Sequence, residues 1–184
     1  QKGIDTSVAT TQGDIIYHNG TSLARLGAGT SGQFLKTQGT GANPVWADSS
    51  GGLLQFKQTL DTSNLTTTNT SFTDSGISIS ITPSSTSSKI FLMFNCLHFN
   101  NSGSPELTFY RSIGGGSYSN IDNVMSRMNA DSNYDPNQTI FKLDSPSTTS
   151  AITYKVYHRV NTGGTSTISG STATSVMIAQ EIGV

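Results

Sequence analysis

The chain has 184 residues with ten Lys and Arg against eleven Asp and Glu, a formal charge of -1, and only 11% charged residues in all. Near-neutrality argues against a polybasic nucleic-acid binder and against an acidic tail, and no apolar run reaches the about 18 residues of a membrane-spanning helix. Ser, Thr, Asn and Gly fill 86 of the 184 positions; Ser and Asn compete for backbone hydrogen bonds, Gly loses entropy in a helix and Thr prefers pleated structure, so an all-β chain is expected.

The first predicted element is a hairpin. Asp14-Ile15-Ile16-Tyr17 and Leu23-Ala24-Arg25-Leu26 flank His18-Asn19-Gly20-Thr21-Ser22, and Asn-Gly is a strong turn signal because both residues tolerate positive φ. Gln33-Phe34-Leu35-Lys36 reads as a third short strand, and Pro44-Val45-Trp46 closes the region after the Gly-rich stretch 39–43. So few apolar residues in so short a region bury little by themselves, and a partner surface is expected. Small polar residues at Asp48-Ser49-Ser50-Gly51-Gly52 mark a linker, which sets two expected domains, 1–50 and 51–184.

The second region reads as eight strands: 53–60, 66–72, 76–82, 89–99, 106–113, 138–144, 151–160 and 175–182. Period-2 alternation is clearest at Ile77, Ile79 and Ile81, and again at Val176, Ile178 and Ile182, which face opposite Met177, Ala179 and Glu181. The strand 89–99 differs, with Ile90, Leu92, Phe94 and Cys96 on one face and Phe91, Met93, Leu97 and Phe99 on the other. An antiparallel sandwich buries one face of each sheet, so the second set is expected to meet another subunit, or else a loop or the first module. Cys96 in this run reads as a small buried hydrophobe. Residues 121–128 are the one place where a helical turn or two would fit, and 161–170 reads as a polar loop.

Motifs of chemistry are weak. Gly27-Ala28-Gly29-Thr30-Ser31-Gly32 has the letters of a dinucleotide fingerprint but neither the buried strand before it nor the helix after it, and reads as a turn. Asp131, Asn133 and Asp135 have the alternation of a calcium loop, yet Tyr134 stands where glycine is needed and Ile140 where the twelfth-position Glu belongs. His18, His98 and His158 are isolated, so no metal or other cofactor is expected; His98 reads as a satisfied sheet histidine, with three copies meeting at a symmetry axis as the alternative. No Gly-x-Ser-x-Gly elbow or close carboxylate pair appears, and no enzyme is expected. The polar loops are where binding would sit; Tyr118, Asn120, Asn133 and Tyr134 are the candidate contacts, because aromatic and amide side chains stack on sugars and hydrogen-bond them.

Gly13-Asp14-Ile15-Ile16-Tyr17, Leu23-Ala24-Arg25-Leu26, Gly29-Thr30-Ser31-Gly32-Gln33-Phe34-Leu35 and Pro44-Val45-Trp46, in that order, resemble a short module of tail-fibre-like structural proteins of bacteriophages. Ser88-Lys89-Ile90, the stretch 143–150 leading into Thr153-Tyr154-Lys155-Val156, and the closing Glu181-Ile182 resemble C-terminal domains of such proteins. The chain carries one copy of the module where the family carries arrays. The resemblance implies a non-enzymatic virion component: a homotrimer whose jelly-roll-like β-sandwich forms a head, with Phe91, Met93, Leu97 and Phe99 between subunits. The N-terminal module would attach to other virion proteins, and the head would contact a host surface glycan or protein. A capsid-decorating protein or head fibre, docked on the shell through residues 1–50, is the alternative. Neither reading involves nucleic acid or membrane insertion.

Overall fold

The computed structural model describes residues 6–48, 51–128, 137–169 and 173–184. The chain divides into two compact units, Gln1–Ser50 and Gly51–Val184, and every strand pair is antiparallel.

In the first unit a single 3-10 turn, Thr6–Val8, precedes two separate two-stranded sheets, β1 (Ile15–His18) with β2 (Leu23–Leu26) and β3 (Phe34–Lys36) with β4 (Val45–Ala47). The hairpin forms where Asn19-Gly20 predicts it. Asn19 Oδ1 accepts from the amides of Thr21 and Ser22, both at 2.9 Å, and Gly20 sits at φ +97°, a region that costs a side-chain-bearing residue. The fingerprint-like 27–32 segment is a turn, as its context predicts, with Gln33 N donating to Thr30 O at 3.1 Å. Its Gly29 is required by packing: a Cβ there would stand 2.8 Å from Trp46 Cδ2, while the Trp46 indole donates to Gly27 O at 2.6 Å. None of the described residues of this unit is buried.

The second unit is a β-sandwich. One sheet orders its strands β10-β9-β13-β7, with β11 also on β9; the other runs β5-β15-β8-β14-β6, with β12 also on β8. The elements are β5 (Gly52–Asp61), β6 (Leu65–Thr67), β7 (Thr73–Ile81), β8 (Lys89–Asn100), β9 (Pro105–Ile113), β10 (Ser119–Asn120), β11 (Ser126–Arg127), β12 (Asn137–Asp144), β13 (Ile152–Val160), β14 (Ser166–Ser169) and β15 (Ser175–Gly183). From β7 onward the chain crosses repeatedly between sheets, as a jelly-roll-like sandwich requires. The core lies between them: Ile77, Ile79 and Ile81 of β7 and Leu107, Phe109, Tyr154 and Val156 of β9 and β13 meet Ile90, Leu92, Phe94 and Cys96 of β8 and Met177 of β15. Burial pushes the Cys96 thiol up to about 12, which keeps it protonated.

Several expected elements differ. The strand expected over 66–72 ends at Thr67, because Thr and Asn side chains capture the chain locally: Asn69 N donates to Thr67 Oγ1 and Asn69 Nδ2 to Thr73 Oγ1. Residues 121–128 form no helical turn; the free edge of β9 takes them instead, through Ile121 N to Phe109 O and Met125 N to Leu107 O. The expected loop 161–170 contains β14, which fills the slot between β8 and β6. On β15 the two faces alternate as expected, and the structure decides which is inner: Ser175, Met177, Ala179 and Glu181 are buried, whereas Val176 and Ile178 face outward.

Glu181 shows how that polar residue fits a core strand. Burial pushes its carboxyl pKa up, but hydrogen bonds from the Ser84 amide and hydroxyl, each 2.6 Å, and from Gln55 outweigh it and hold the group below the usual range.

Candidate functional site

The interior offers a polar constellation at the junction of the sheets. His98 Nε2 of β8 stands 2.8 Å from Ser166 Oγ of β14, and His158 Nδ1 of β13 stands 3.1 Å from the same oxygen. His98 and Ser166 are fully buried and His158 is 2% exposed, so His98 faces the core and the reading that places it at a symmetry axis is excluded. Burial, with His158 adding to it, brings the His98 pKa down to about 3, and burial brings His158 to about 4. Both imidazoles are neutral at pH 7, no carboxylate orients either one among the hydrogen bonds of the described residues, and Ser166 has the surroundings of a packing group. Among the described residues no three His, Cys, Asp or Glu converge as metal ligands. The calcium-like positions Asp131, Asn133 and Asp135 lie outside the described residues, as do the candidate contacts Asn133 and Tyr134.

The outer faces of the two sheets differ sharply. On the six-stranded sheet, Phe91, Met93, Leu97 and Phe99 are half-buried and lie on the outside, as the alternation of β8 predicts. Register adds residues that alternation within one strand does not reveal. Leu143 lies opposite Phe91 and Phe141 opposite Met93 on β12, Ile178 opposite Met93 and Val176 opposite Asn95 on β15, and Phe56 and Leu60 of β5 continue the rows from Gln180 and Val176. From Phe91 to Phe99 and across these paired positions no side chain is charged. Phe56 is 50%, Leu60 59%, Phe141 66% and Leu143 48% exposed.

Edge strand β5 makes the asymmetry plain. Its apolar Phe56 and Leu60 are exposed, while the alternate Gln55 and Thr59 reach the other way to the five-stranded sheet, Gln55 Nε2 donating to Thr82 O at 2.7 Å and Thr59 Oγ1 to Ser78 O at 3.0 Å. An amphipathic strand that turns its apolar side away from its own core is arranged for a second surface.

The outer face of the five-stranded sheet is aromatic and charged. Across β13, β9 and β11 the first row is Arg159, Glu106 and Arg127. Glu106 is fully buried; Arg159 Nε donates to its Oε2 at 2.6 Å and Arg127 Nε to its Oε1. Two residues along β13 from Arg159 comes Tyr157, and its ring stacks diagonally on that of Tyr110, four residues along β9 from Glu106, with centroids 3.8 Å apart and planes inclined by 19°. Phe72 meets Tyr110 edge-on at 6.3 Å and lies under the Arg159 guanidinium at 4.4 Å. Lys155 pairs with Asp74 and stands 4.8 Å from the Tyr118 ring centre.

Tyr118 and Asn120, chosen from sequence as loop residues, therefore belong to this face. Asn120 lies opposite Tyr110, and its side chain is engaged internally: Oδ1 accepts from Asp122 N at 2.9 Å and from Thr108 Oγ1 at 3.2 Å. A pocket of about 310 Å³ lies beside it, lined by Asn120, Ile121, Asp122 and Asn123. Tyr110, Tyr157, Arg127 and Arg159 escaped the sequence reading. The alternation Lys155, Tyr157, Arg159 was a signal for three outward residues of one strand, but their partners sit on β9 and β11, decades away in sequence.

No protein-family model matches the chain, and no curated protein matches its sequence. Among solved structures it is similar to the VP2 subviral particle of infectious bursal disease virus, at 14% identity and a TM-score of 0.36 over 88% of this chain and 44% of that one. It is similar also to structures of the Gx strain of that virus (12%, TM-score 0.38, 89% of this chain and 45% of that one) and of the Gt strain (11%, 0.37, 91% and 46%). The chain spans less than half the length of each of these.

Proposed function

We propose that this chain is a non-enzymatic virion component, a homotrimeric fibre head whose second unit contacts the host surface and whose first unit attaches it to other virion proteins. The observation that carries the reading is the apolar outer face of the six-stranded sheet, uncharged from Phe91 to Phe99 and across the positions paired with them. Phe56, Leu60, Phe141 and Leu143 alone leave on the order of 400 Å² uncovered, comparable with the largest patch on an ordinary monomer. The half-buried Phe91, Met93, Leu97 and Phe99 extend it toward the roughly 800 Å² per partner of a specific interface. A face without charge meets a copy of itself with no like-charge repulsion, and obligate homomeric interfaces have this apolar composition. The first unit, with no buried residue among those described, gains its stability in the same way, from neighbouring chains or from the particle. The resemblance of residues 13–46 to a bacteriophage fibre module supports the virion location.

Light scattering on the full chain tests the assembly: a particle three times the 19.4 kDa chain mass is expected, and a single-chain mass overturns the trimer. Electron microscopy of virions labelled with antibody against residues 51–184 tests the location. Label at fibre tips is expected, and label spread over the shell replaces the fibre head with a capsid-decorating protein.

A further inference from the structure

We propose that the outer face of the five-stranded sheet binds a carboxylated, uronate-type saccharide, its carboxylate taken by Arg127 and Arg159 and a sugar ring laid along the Tyr110 and Tyr157 side chains. The inference rests on the reading of the second unit as a host-contacting head and names the chemistry of what it contacts.

The charge count points to an anion. Glu106 is one carboxylate between two guanidiniums, and both of its oxygens are in use. Among the described residues of the face three cations, Lys155, Arg159 and Arg127, stand against two carboxylates, Asp74 and Glu106. Arg127 is 52% exposed, and with its Nε committed to Glu106 its Nη edge has no partner among the described residues. A guanidinium edge presents two parallel N–H groups, the geometry that a planar carboxylate takes bidentately. Fully buried, Glu106 fixes both guanidiniums from beneath, so little side-chain entropy remains to be lost on binding.

Ring recognition comes from the next row. Tyr157 is two residues from Arg159 along β13, about 6.8 Å, which is one sugar ring away from that guanidinium; Tyr110, four residues from Glu106 along β9, stacks on Tyr157 from the row beyond, and Phe72 touches both Arg159 and Tyr110. Half-buried tyrosines offer an apolar surface for the C–H face of a pyranose and phenol groups for its hydroxyls. Lys155 and Asp74 at the far side of Tyr157 supply a donor and acceptors for further hydroxyls. A single surplus charge is too little for a polyphosphate backbone, whose binding rises with each phosphate neutralised, and the surrounding Ser78, Ser80 and Thr153 are uncharged.

The test is calorimetric titration of the full chain with tri-galacturonate and tri-mannuronate, each beside its carboxyl-reduced neutral trisaccharide. At least one uronate is expected to saturate the protein, with its reduced form at least about tenfold weaker. Arg127→Gln is expected to bring the uronate down to the level of the reduced form while leaving the latter unchanged, and Tyr157→Ala to weaken both. Arg127→Lys, which keeps the charge and loses the fork, is expected to behave like Arg127→Gln and serves if that variant melts early. No saturation by either uronate up to about 10 mM, or equal binding of acid and reduced forms, overturns the proposal. Adsorption of labelled protein to host cells separates the two readings: adsorption without uronate binding overturns the ligand class alone, and loss of both overturns the host-contacting head as well.

Discussion

Phe141 of β12 lies directly opposite Met93 of β8 on the outside of the six-stranded sheet, and it is 66% exposed in the single chain. A phenyl ring this exposed, in a row that continues through Ile178 on the other side of Met93, marks where assembly would gain most. Phe141→Lys is expected to convert the proposed trimer to single chains in sedimentation velocity, because three ammonium groups would be forced into one dry interface. Ser80→Lys, on the opposite sheet, is expected to leave the trimer intact, and dissociation by both substitutions alike would refute the assignment of the face.

The His98, Ser166 and His158 cluster makes stability depend on pH. Both imidazoles have folded pKa values below the ordinary 6.5, about 3 and about 4, so between those values and 6.5 the unfolded chain binds protons that the folded chain refuses. Stability is therefore full above about pH 6.5 and falls as pH drops toward 4, by an amount on the order of a few kcal/mol. Urea midpoints measured from pH 7.5 to 4.5 are expected to decline, and the decline is expected to flatten in His158→Asn. An unchanged slope in that variant would place the sensitivity elsewhere.

Asp144 is nearly buried and carries three contacts: Arg111 Nη1 reaches its two oxygens at 2.8 and 2.7 Å, and the Tyr154 hydroxyl donates at 2.7 Å. Burial, and then the bond to Asp144, raises the Tyr154 pKa and keeps that hydroxyl a donor. Asp144→Ala strands a guanidinium and a phenol together and is expected to cost about 3 kcal/mol in chemical denaturation, near the low end for a broken buried pair because Arg111 is 23% exposed. Tyr154→Phe removes one neutral-to-charged bond and is expected to cost about 1.5 kcal/mol.

Gly29 and Trp46 give the first unit its own reporter. Trp46 is the chain's one tryptophan, and Gly29→Ala would put a methyl carbon 2.8 Å from its ring. Red-shifted, more quenchable tryptophan emission is expected, with the strand signal of the second unit in circular dichroism unchanged. A concerted loss of both signals would show that the units fold as one.

Sequence alone determined the strands whose signal is local. Alternation in 77–81 and 89–99 set which residues enter the core, and Asn19-Gly20 set the hairpin, because burial period and turn conformation act over a few residues. Where the signal was ambiguous the fold decided. On β15 both faces are apolar in part, and register with β8 chose Met177 and Ala179 for the core and turned Val176 and Ile178 outward. The edge of β9 overrode a weak helical preference in 121–128, since a free row of carbonyls in a sheet stabilises extended partners more than an isolated turn stabilises itself.

Both candidate surfaces follow the same division. Phe91, Met93, Leu97 and Phe99 were legible as outward residues from one strand's period, and Tyr118 as an exposed aromatic. Their neighbours were not legible: Phe141, Phe56, Arg127 and Tyr110 reach these faces through pairings between strands far apart in the chain. Sequence periodicity determines which side of a strand a residue occupies. Only tertiary pairing decides what lies beside it, because cross-strand neighbours 4.5–5.5 Å apart are, as here, drawn from segments tens of residues away.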